Sequence, residues 1–555
     1  MTSAPSRPAV ILAALVCLLP FEPRHPTLEL AGFQVTLLEL AAGLALLVLG
    51  WTWRAGLLGL LRKPPLASSA LLAFALLNLL SAVLAVDNPA LAFKFALRMC
   101  VMAAFALVAA AAPHEAVATA LRGVVTSGLV VAALSIAEGS GLVSLDAFLD
   151  LFREMPFNVA GVRRASAGSE YPNQAAAFQM AALLVWAGLS GRAAAWMRAA
   201  VAVVLGVGIL FTYSRGALAS AAIGLLATAA LAGRIPRPAL RRSSLLVLAA
   251  LGASIAVFAG SAEVFRLRLG SEGTERWYDA RYAPADVTLR LEPVERRILH
   301  LSVTNTGRKT WARREAFHLS YHWYDTERKL LKDGGRTDLP RDVEPGQSAA
   351  LQVEVVGPNQ RGRYLLIWDM VHERTTWFSG QGVRPAVVPA AIGLAAQEAL
   401  VPTLAPPGQI GWRPGRAELW RLALAMGRAH PLLGVGPDNF RWLYGRFAGQ
   451  PYADTRVFAN NTLLEVFATT GILGAAALVA AWLWAFGGVA RSLRLSGDDR
   501  AGETPAALLA LLAGLAAHGA VDYLLAFTGH YLLSGLAIGA ASAVARKEVA
   551  QSDPS

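Results

Sequence analysis

Cysteine is nearly absent: Cys17 and Cys100 are the two in 555 residues, and both lie inside apolar runs. A disulfide framework is therefore excluded, and a thiolate metal site has no support. Charge is also scarce. Asp, Glu, Lys and Arg make up 16% of the chain, against about 25% in an ordinary soluble domain. No Asp-x-Asp metal signature occurs in any segment assigned below to the outer side, and Asp498-Asp499 falls on the inner side. What fills the chain instead is apolar sequence, 55% by residue type, with a mean hydropathy of +0.46. Runs of about 17 to 25 apolar residues recur, each long enough to cross a bilayer core of about 30 Å. A soluble enzyme and a disordered chain are excluded. The composition is that of a polytopic membrane protein.

The formal charge of +12 raises the question of nucleic acid. The basic residues do not gather on one soluble face, however; many sit in short loops between apolar runs, so no nucleic-acid partner is expected. About twelve spans are expected, near 8–21, 33–52, 66–85, 93–112, 122–139, 173–190, 197–213, 216–232, 243–261, 462–488, 505–524 and 529–545. The first is short and precedes Pro20 and Pro23, so a signal peptide competes with it. No small-residue cleavage site follows, which favours a helix. Arg54, Arg62 and Lys63, then Arg192 and Arg198, then Arg234, Arg237, Arg241 and Arg242 follow even-numbered spans. So do Arg491, Arg494 and Arg500, and finally Arg546 and Lys547. The positive-inside rule puts these loops in the cytoplasm and residues 262–461 outside.

The expected organisation is a membrane part at 1–261, a connector at 262–285, a β-sandwich at 286–390 and a linker with a helical loop at 391–461. A second membrane part at 462–545 and a cytoplasmic tail at 546–555 complete it. Within the sandwich, apolar and polar residues alternate in Val287-Thr-Leu-Arg-Leu, Phe317-His-Leu-Ser-Tyr and Leu351-Gln-Val-Glu-Val, separated by Asn305-Thr-Gly, Asp333-Gly-Gly and Pro345-Gly. Such period-2 runs predict about seven strands. Its tryptophans are expected mainly as core or domain-packing residues, with stacking on sugars as the other reading. His318 and His322, four apart in a strand, lack a third partner that would make them a metal site. A Pro-rich linker, Val401 to Pro414, follows.

Polar groups that interrupt apolar runs are the place to seek chemistry, because burying them in lipid is costly. Tyr213-Ser-Arg-Gly-Ala breaks two runs with a short turn and puts Arg215 at the outer interface, as a phosphate ligand or as a snorkelling side chain. Arg416 and His430-Pro-Leu-Leu-Gly-Val-Gly-Pro-Asp-Asn-Phe440 follow the linker. Their Gly-rich turn, with Asp438 and Asn439, is either a loop over a site or a turn before a helix. In Asn460-Asn-Thr-Leu-Leu-Glu465, Asn461 suits a helix cap, but capping does not explain a carboxylate one turn further in. His518 and Asp522 stand four apart on one face of a span, as a functional pair or as interhelical glue. Gly535 and Gly539 suit close helix packing.

In this order and placement, Ser214-Arg-Gly-Ala, the 430–440 motif, Asn461-Thr-Leu-Leu-Glu followed by Thr470-Gly-Ile-Leu-Gly, Asp522 and Tyr171-Pro-Asn-Gln resemble the O-antigen ligase/polymerase superfamily. The sandwich resembles an inserted immunoglobulin-like domain. The resemblance implies a mainly α membrane bundle of the integral-membrane glycosyltransferase type, in a bacterial inner membrane with 262–461 periplasmic. It implies transfer of an undecaprenyl-diphosphate-linked glycan to an acceptor glycan, either lipid A–core or a growing chain, by a metal-independent inverting reaction without cofactor. Membrane lipids are the remaining partners. Arg215 and Arg416 match the family's diphosphate-holding arginines, and Arg164 is a further candidate. Asn173, Asp438, Asn439, Asn461, His518 and Asp522 would shape the substrate cleft. Where ligases carry a histidine base, this chain has Asn460, whose amide does not accept a proton. Glu465 or His430 would then stand in, or the protein is a polymerase. A lipid-linked glycan transporter, or an inactive anchor for a carbohydrate-binding domain, are the readings from other classes.

Overall fold

The structure is a computed structural model that describes residues 5–25, 27–30, 33–142, 144–154, 156–159, 162–234, 237–262, 264–265, 277–325, 330–373, 376–379, 383–394, 414–449, 454–496 and 499–552. Each expected apolar run contains a helix. The helices are α1 (Arg7–Leu18), α2 (Leu37–Thr52), α3 (Arg54–Arg62), α4 (Leu66–Val83), α5 (Pro89–Ala111), α6 (His114–Ser140), α7 (Asp146–Leu149) and α8 (Pro172–Leu189). They continue as α9 (Ala195–Phe211), α10 (Arg215–Arg234), α11 (Pro238–Ser261), α12 (Arg416–Ala429), α13 (Phe440–Phe447), α14 (Thr462–Leu495), α15 (Asp499–Gly519) and α16 (Thr528–Ser552). Among the described residues, six helices (α4, α5, α6, α10, α11 and α14) cross a membrane by length and composition. The pair α2 and α3, bent by 83°, adds a seventh when taken as one span, and α1 and α9 are shorter apolar helices. This is an integral membrane protein.

Local chemistry sets the helix starts. Pro89, Pro172 and Pro238 occupy first turns, where the missing N–H costs nothing. The second run is helical only from Leu37, because Thr36 and Glu39 form a reciprocal capping box: Glu39 N donates to Thr36 Oγ1 at 3.2 Å and Thr36 N to Glu39 Oε2 at 2.9 Å. Packing of α16 along α5 depends on small residues, since a methyl at Gly535 or Gly539 would overlap the carbonyls of Met102 and Ala106. The run expected as one span at 462–488 is interrupted. Gly471 adopts φ 69° inside α14, a left-handed conformation that L side chains resist.

Two short hairpins accompany the bundle, β1 (Leu28–Leu30) with β2 (Phe33–Val35) and β3 (Phe157–Val159) with β4 (Val162–Arg164). The segment between α11 and α12 carries β5 (Ala280–Pro284), β6 (Leu289–Leu291), β7 (Arg296–Asn305), β8 (Phe317–Asp325), β9 (Leu330–Asp333), β10 (Thr337–Asp338), β11 (Ser348–Val356), β12 (Gly362–His372), β13 (Thr376–Trp377) and β14 (Ala386–Ile392). They form one sheet in the order β11-β7-β5 and another in the order β10-β8-β12-β14-β6, with β9 on β8 and β13 on β12. Alternation puts Leu351, Val353 and Val355 of one sheet and Leu366, Trp368 and Met370 of the other into a shared apolar core with Trp311 and Trp323. The opposite face of β12 holds Asp369, 1% exposed, which accepts from Tyr282 Oη and Ser379 N at 3.2 Å each. Burial pushes its carboxyl up to about 7. His318 and His322 face separate carboxylates, Asp338 at 2.9 Å and Asp333 at 2.6 Å. Residues 401–413 of the expected linker, and 263 and 266–276 of the expected connector, lie outside the described residues.

Candidate active site

Five helix ends meet in one polar cluster. The Tyr213-Ser-Arg-Gly turn reverses the chain between α9 and α10 in three residues, with Tyr213 at φ 55° and its ring packed on Phe258 and Phe265. Arg215 is the first residue of α10 and is half-buried; Gly216 next to it lies against His518, so that a methyl there would sit 3.6 Å from His518 Cε1. From the hairpin before α8, Arg164 Nε donates to Thr212 O at 2.9 Å and its Nη2 to Asn173 Oδ1, also at 2.9 Å. Asn173 Nδ2 then donates to Asp522 Oδ2 at 3.2 Å, and His518 Nε2 lies 3.8 Å from that same oxygen. His518 is 1% exposed, and its Nδ1 is 3.5 Å from Ser220 Oγ.

The start of α14 is tied to the same place. Asn461 caps it by accepting from Leu464 N at 3.0 Å, while its Nδ2 donates to Ala520 O at 2.9 Å. Thr462 Oγ1 donates to Asp522 O at 3.0 Å. Asn460, at φ 51°, holds the left-handed turn just before the cap, a conformation that asparagine tolerates better than most residues. The chain also meets the anion-favouring N-terminal ends of α8, α10 and α14 here, whose free N–H groups carry partial positive charge. Arg416, exposed at the start of α12, lies within electrostatic reach of His518.

The remaining candidates form a second group on α14. The 430–439 loop is seated on the helix break: Ile472 N donates to Pro431 O at 2.8 Å, Val435 N to Ala468 O at 2.9 Å and Gly436 N to Thr469 O at 3.0 Å. These bonds satisfy backbone groups that the break releases. Gly434 has no room for a methyl against Thr469, nor Gly471 against Leu432. His430 ends α12 and accepts the Gly434 N–H at 2.9 Å through its carbonyl. Asn439 is fully buried and donates to the carbonyls of Asp87 and Val435, which docks the α4–α5 turn. Asp438 is held by Arg441 through two bonds of 2.8 and 2.6 Å; burial raises its carboxyl above the usual range, and Arg441 opposes that. Glu465 is fully buried. Its Oε2 accepts from Ala459 N at 2.6 Å and its Oε1 has no hydrogen-bond partner.

Arg164, Asn173, Asn461, His518 and Asp522 are thus brought into one network, with Arg215 beside it and Arg416 in its field. His430, Asp438 and Asn439 belong to the loop at the break, and Glu465, in the first turn of α14, holds the segment just before that helix. Sequence reasoning missed Glu138 and Arg153, which hold the segment bearing Arg164. The only signal they offered was a carboxylate ending an apolar run. Among the described residues no three His, Cys, Asp or Glu side chains are grouped as a metal set.

A helical membrane protein with a polar site where span ends converge is the class these features define. Residues 386–479 match the model of the O-antigen ligase family. This supports the resemblance to the O-antigen ligase/polymerase superfamily and a membrane activity of glycosyltransferase type. The match covers Arg416, His430, Asp438, Asn439, Asn460, Asn461 and Glu465. Arg164, Asn173, Arg215, His518 and Asp522 lie outside it, and the fold brings Asp522, bonded to Asn173, against its Asn461-Thr462 end. No curated protein matches the chain.

Proposed function

We propose that this protein is a twelve-span transferase of the bacterial inner membrane that moves a glycan from undecaprenyl diphosphate to an acceptor hydroxyl on the periplasmic face. The observation that carries this reading is the Arg164–Asn173–Asp522–His518 network at the helix ends, contiguous with the start of the family-matched α14. In the step itself the acceptor oxygen bonds to the anomeric carbon as the bond from that carbon to the diphosphate breaks, with inversion. Arg215, Arg164 and Arg416 take up the charge left on the diphosphate, which dispenses with a divalent ion. The hydroxyl proton needs an acceptor, and Asn460 is not one. Asp522 serves, since it lies in the arginine-bearing network and His518 stands behind it. Glu465, bonded to Ala459 N, acts instead as a strut for the loop before α14.

Polymerase and ligase remain the two forms of this reading, and Asn460 favours the polymerase. A strain lacking the protein distinguishes them. Single repeat units accumulating on lipid or on the core mean a polymerase; long chains on undecaprenyl diphosphate beside a bare core mean a ligase. A normal glycan profile would sink both. The break in α14 suits a transporter at first sight. It is filled by the 431–436 backbone, however, and the polar groups gather at span ends, which suits surface chemistry. The immunoglobulin-like insertion would then present the site to the periplasm.

A further inference from the structure

Arg164 is carried on a segment between α6 and α8 with little regular structure, so something must fix it. The last turn of α6 supplies a carboxylate, Glu138, whose side chain is 0% exposed. Its Oε1 is paired with Arg153 Nη1, and its Oε2 accepts from Ser166 N at 2.8 Å and Ala167 N at 3.0 Å. Arg153, also 0% exposed, extends the clamp through Nη2 to Asp146 Oδ1 at 2.7 Å, Nε to Asp150 Oδ1 at 3.3 Å and Nη1 to Ser166 Oγ at 3.3 Å. Asp146 Oδ1 also accepts from Arg163 Nη1 at 2.8 Å. One buried carboxylate therefore grips the chain on both sides of the β3–β4 hairpin, at Arg153 before it and at Ser166–Ala167 after it. Arg164 stands two residues from the second grip, and Ala165 N is fixed on Phe211 O at 2.9 Å.

A buried ion pair contributes little to net stability when its desolvation is counted, so its value lies in geometry. Both oxygens of Glu138 are used, and every bond they make holds the segment that carries Arg164. We infer that Glu138, acting through Arg153 and the Ser166–Ala167 amides, is a positioning residue that sets Arg164 for the lipid diphosphate. This inference rests on the transferase reading above, with Arg164 as a diphosphate ligand.

The test uses the full chain in nanodiscs and undecaprenyl diphosphate as the probe, with undecaprenol as the uncharged control. Glu138→Gln should weaken diphosphate binding about tenfold, the size expected when a charge-assisted hydrogen bond is misaligned. Undecaprenol binding should not change. Arg164→Ala should weaken diphosphate binding at least as much, and the double variant should bind no worse than Arg164→Ala alone. Glu138→Asp should recover part of the loss. Should Glu138→Gln fail to give monodisperse protein, Asp146→Asn, at the exposed end of the clamp, should show the same non-additivity with Arg164→Ala. Multiplying losses in the double variant, or equal weakening of undecaprenol, overturn the inference. If Arg164→Ala itself binds like wild type, the diphosphate reading of Arg164 falls first. If Arg164→Ala is impaired and Glu138→Gln is not, the positioning role alone falls.

Discussion

The two groups of motif residues on α14 use the same ingredients, asparagine, acid and a tight turn, for opposite ends. At its start Asn461, Thr462, Asp522 and Asn173 bond between side chains and helix ends in a region that stays partly exposed. At its break the 430–436 loop bonds through backbone, and Asn439 in the loop and Glu465 in the first turn of α14 are sealed from solvent. The first arrangement keeps charged and amide side chains at a partly exposed surface; the second turns them into supports for packed backbone. Residues that travel together in one motif are therefore divided between a partly exposed polar network and a packed seat, and their neighbours decide which.

This contrast can be broken most severely at the second group. Gly471→Val combines an unfavourable left-handed backbone with overlap on Leu432, a cost of about 3 kcal/mol or more. Loss of monodisperse protein in detergent is expected, and normal yield and thermal stability would show that the seat is looser than described. At the first group the loss should be of activity alone. Arg215→Ala should cut transfer about 100- to 1,000-fold in a protein that still inserts and folds, as for removal of a charge-stabilising donor. Measured turnover near wild type would remove its diphosphate role. The two carboxylates sharpen the comparison further. Asp522→Asn should lower kcat about 100-fold, as expected for loss of a general base. Glu465→Gln should change kcat by less than about fivefold while lowering the unfolding temperature, because its task is the Ala459 bond. The reverse ranking in the same transfer assay would exchange their roles.

The smallest effect lies in the sandwich. Asp369 holds its proton up to about pH 7 when folded, well above the value of about 4 in an unfolded chain. Protonation thus favours the folded state, fully below about pH 4, and that advantage is lost as pH rises to about 7. The sandwich unfolding transition should fall by a few degrees between about pH 5 and about pH 8. Asp369→Asn, which keeps an acceptor for Tyr282, should flatten that slope; an unchanged slope would place the titration elsewhere.

Much of this was legible in the sequence. Long apolar runs announced the helices, alternation announced β6, β8 and β11, and the interruption at Ser214-Arg215 announced a helical turn. Asn461 was readable as a cap because capping is local. The break at Gly471 was not, since one glycine in an apolar run is ordinarily tolerated and the cause lies about forty residues upstream in Pro431 to Gly436. Glu138 and Arg153 were hidden for a related reason. Each reads as an ordinary boundary charge until burial is known, and burial is a property of the assembled bundle. The division of the 430–465 motifs into two groups was equally invisible, because sequence order carries no information about which flank of a helix a loop returns to.

The interruption of α14 also has a mechanical meaning. A continuous helix is a stiff shaft: tilt or rotation at its inner end appears in full at its outer end. With the hydrogen-bond ladder cut at Gly471, residues 462–470 take their position from Ala520 and Asp522 and from the loop docked beneath them. The 462–470 fragment is thus a separately mounted bearing, seated on its own contacts rather than on the remainder of α14.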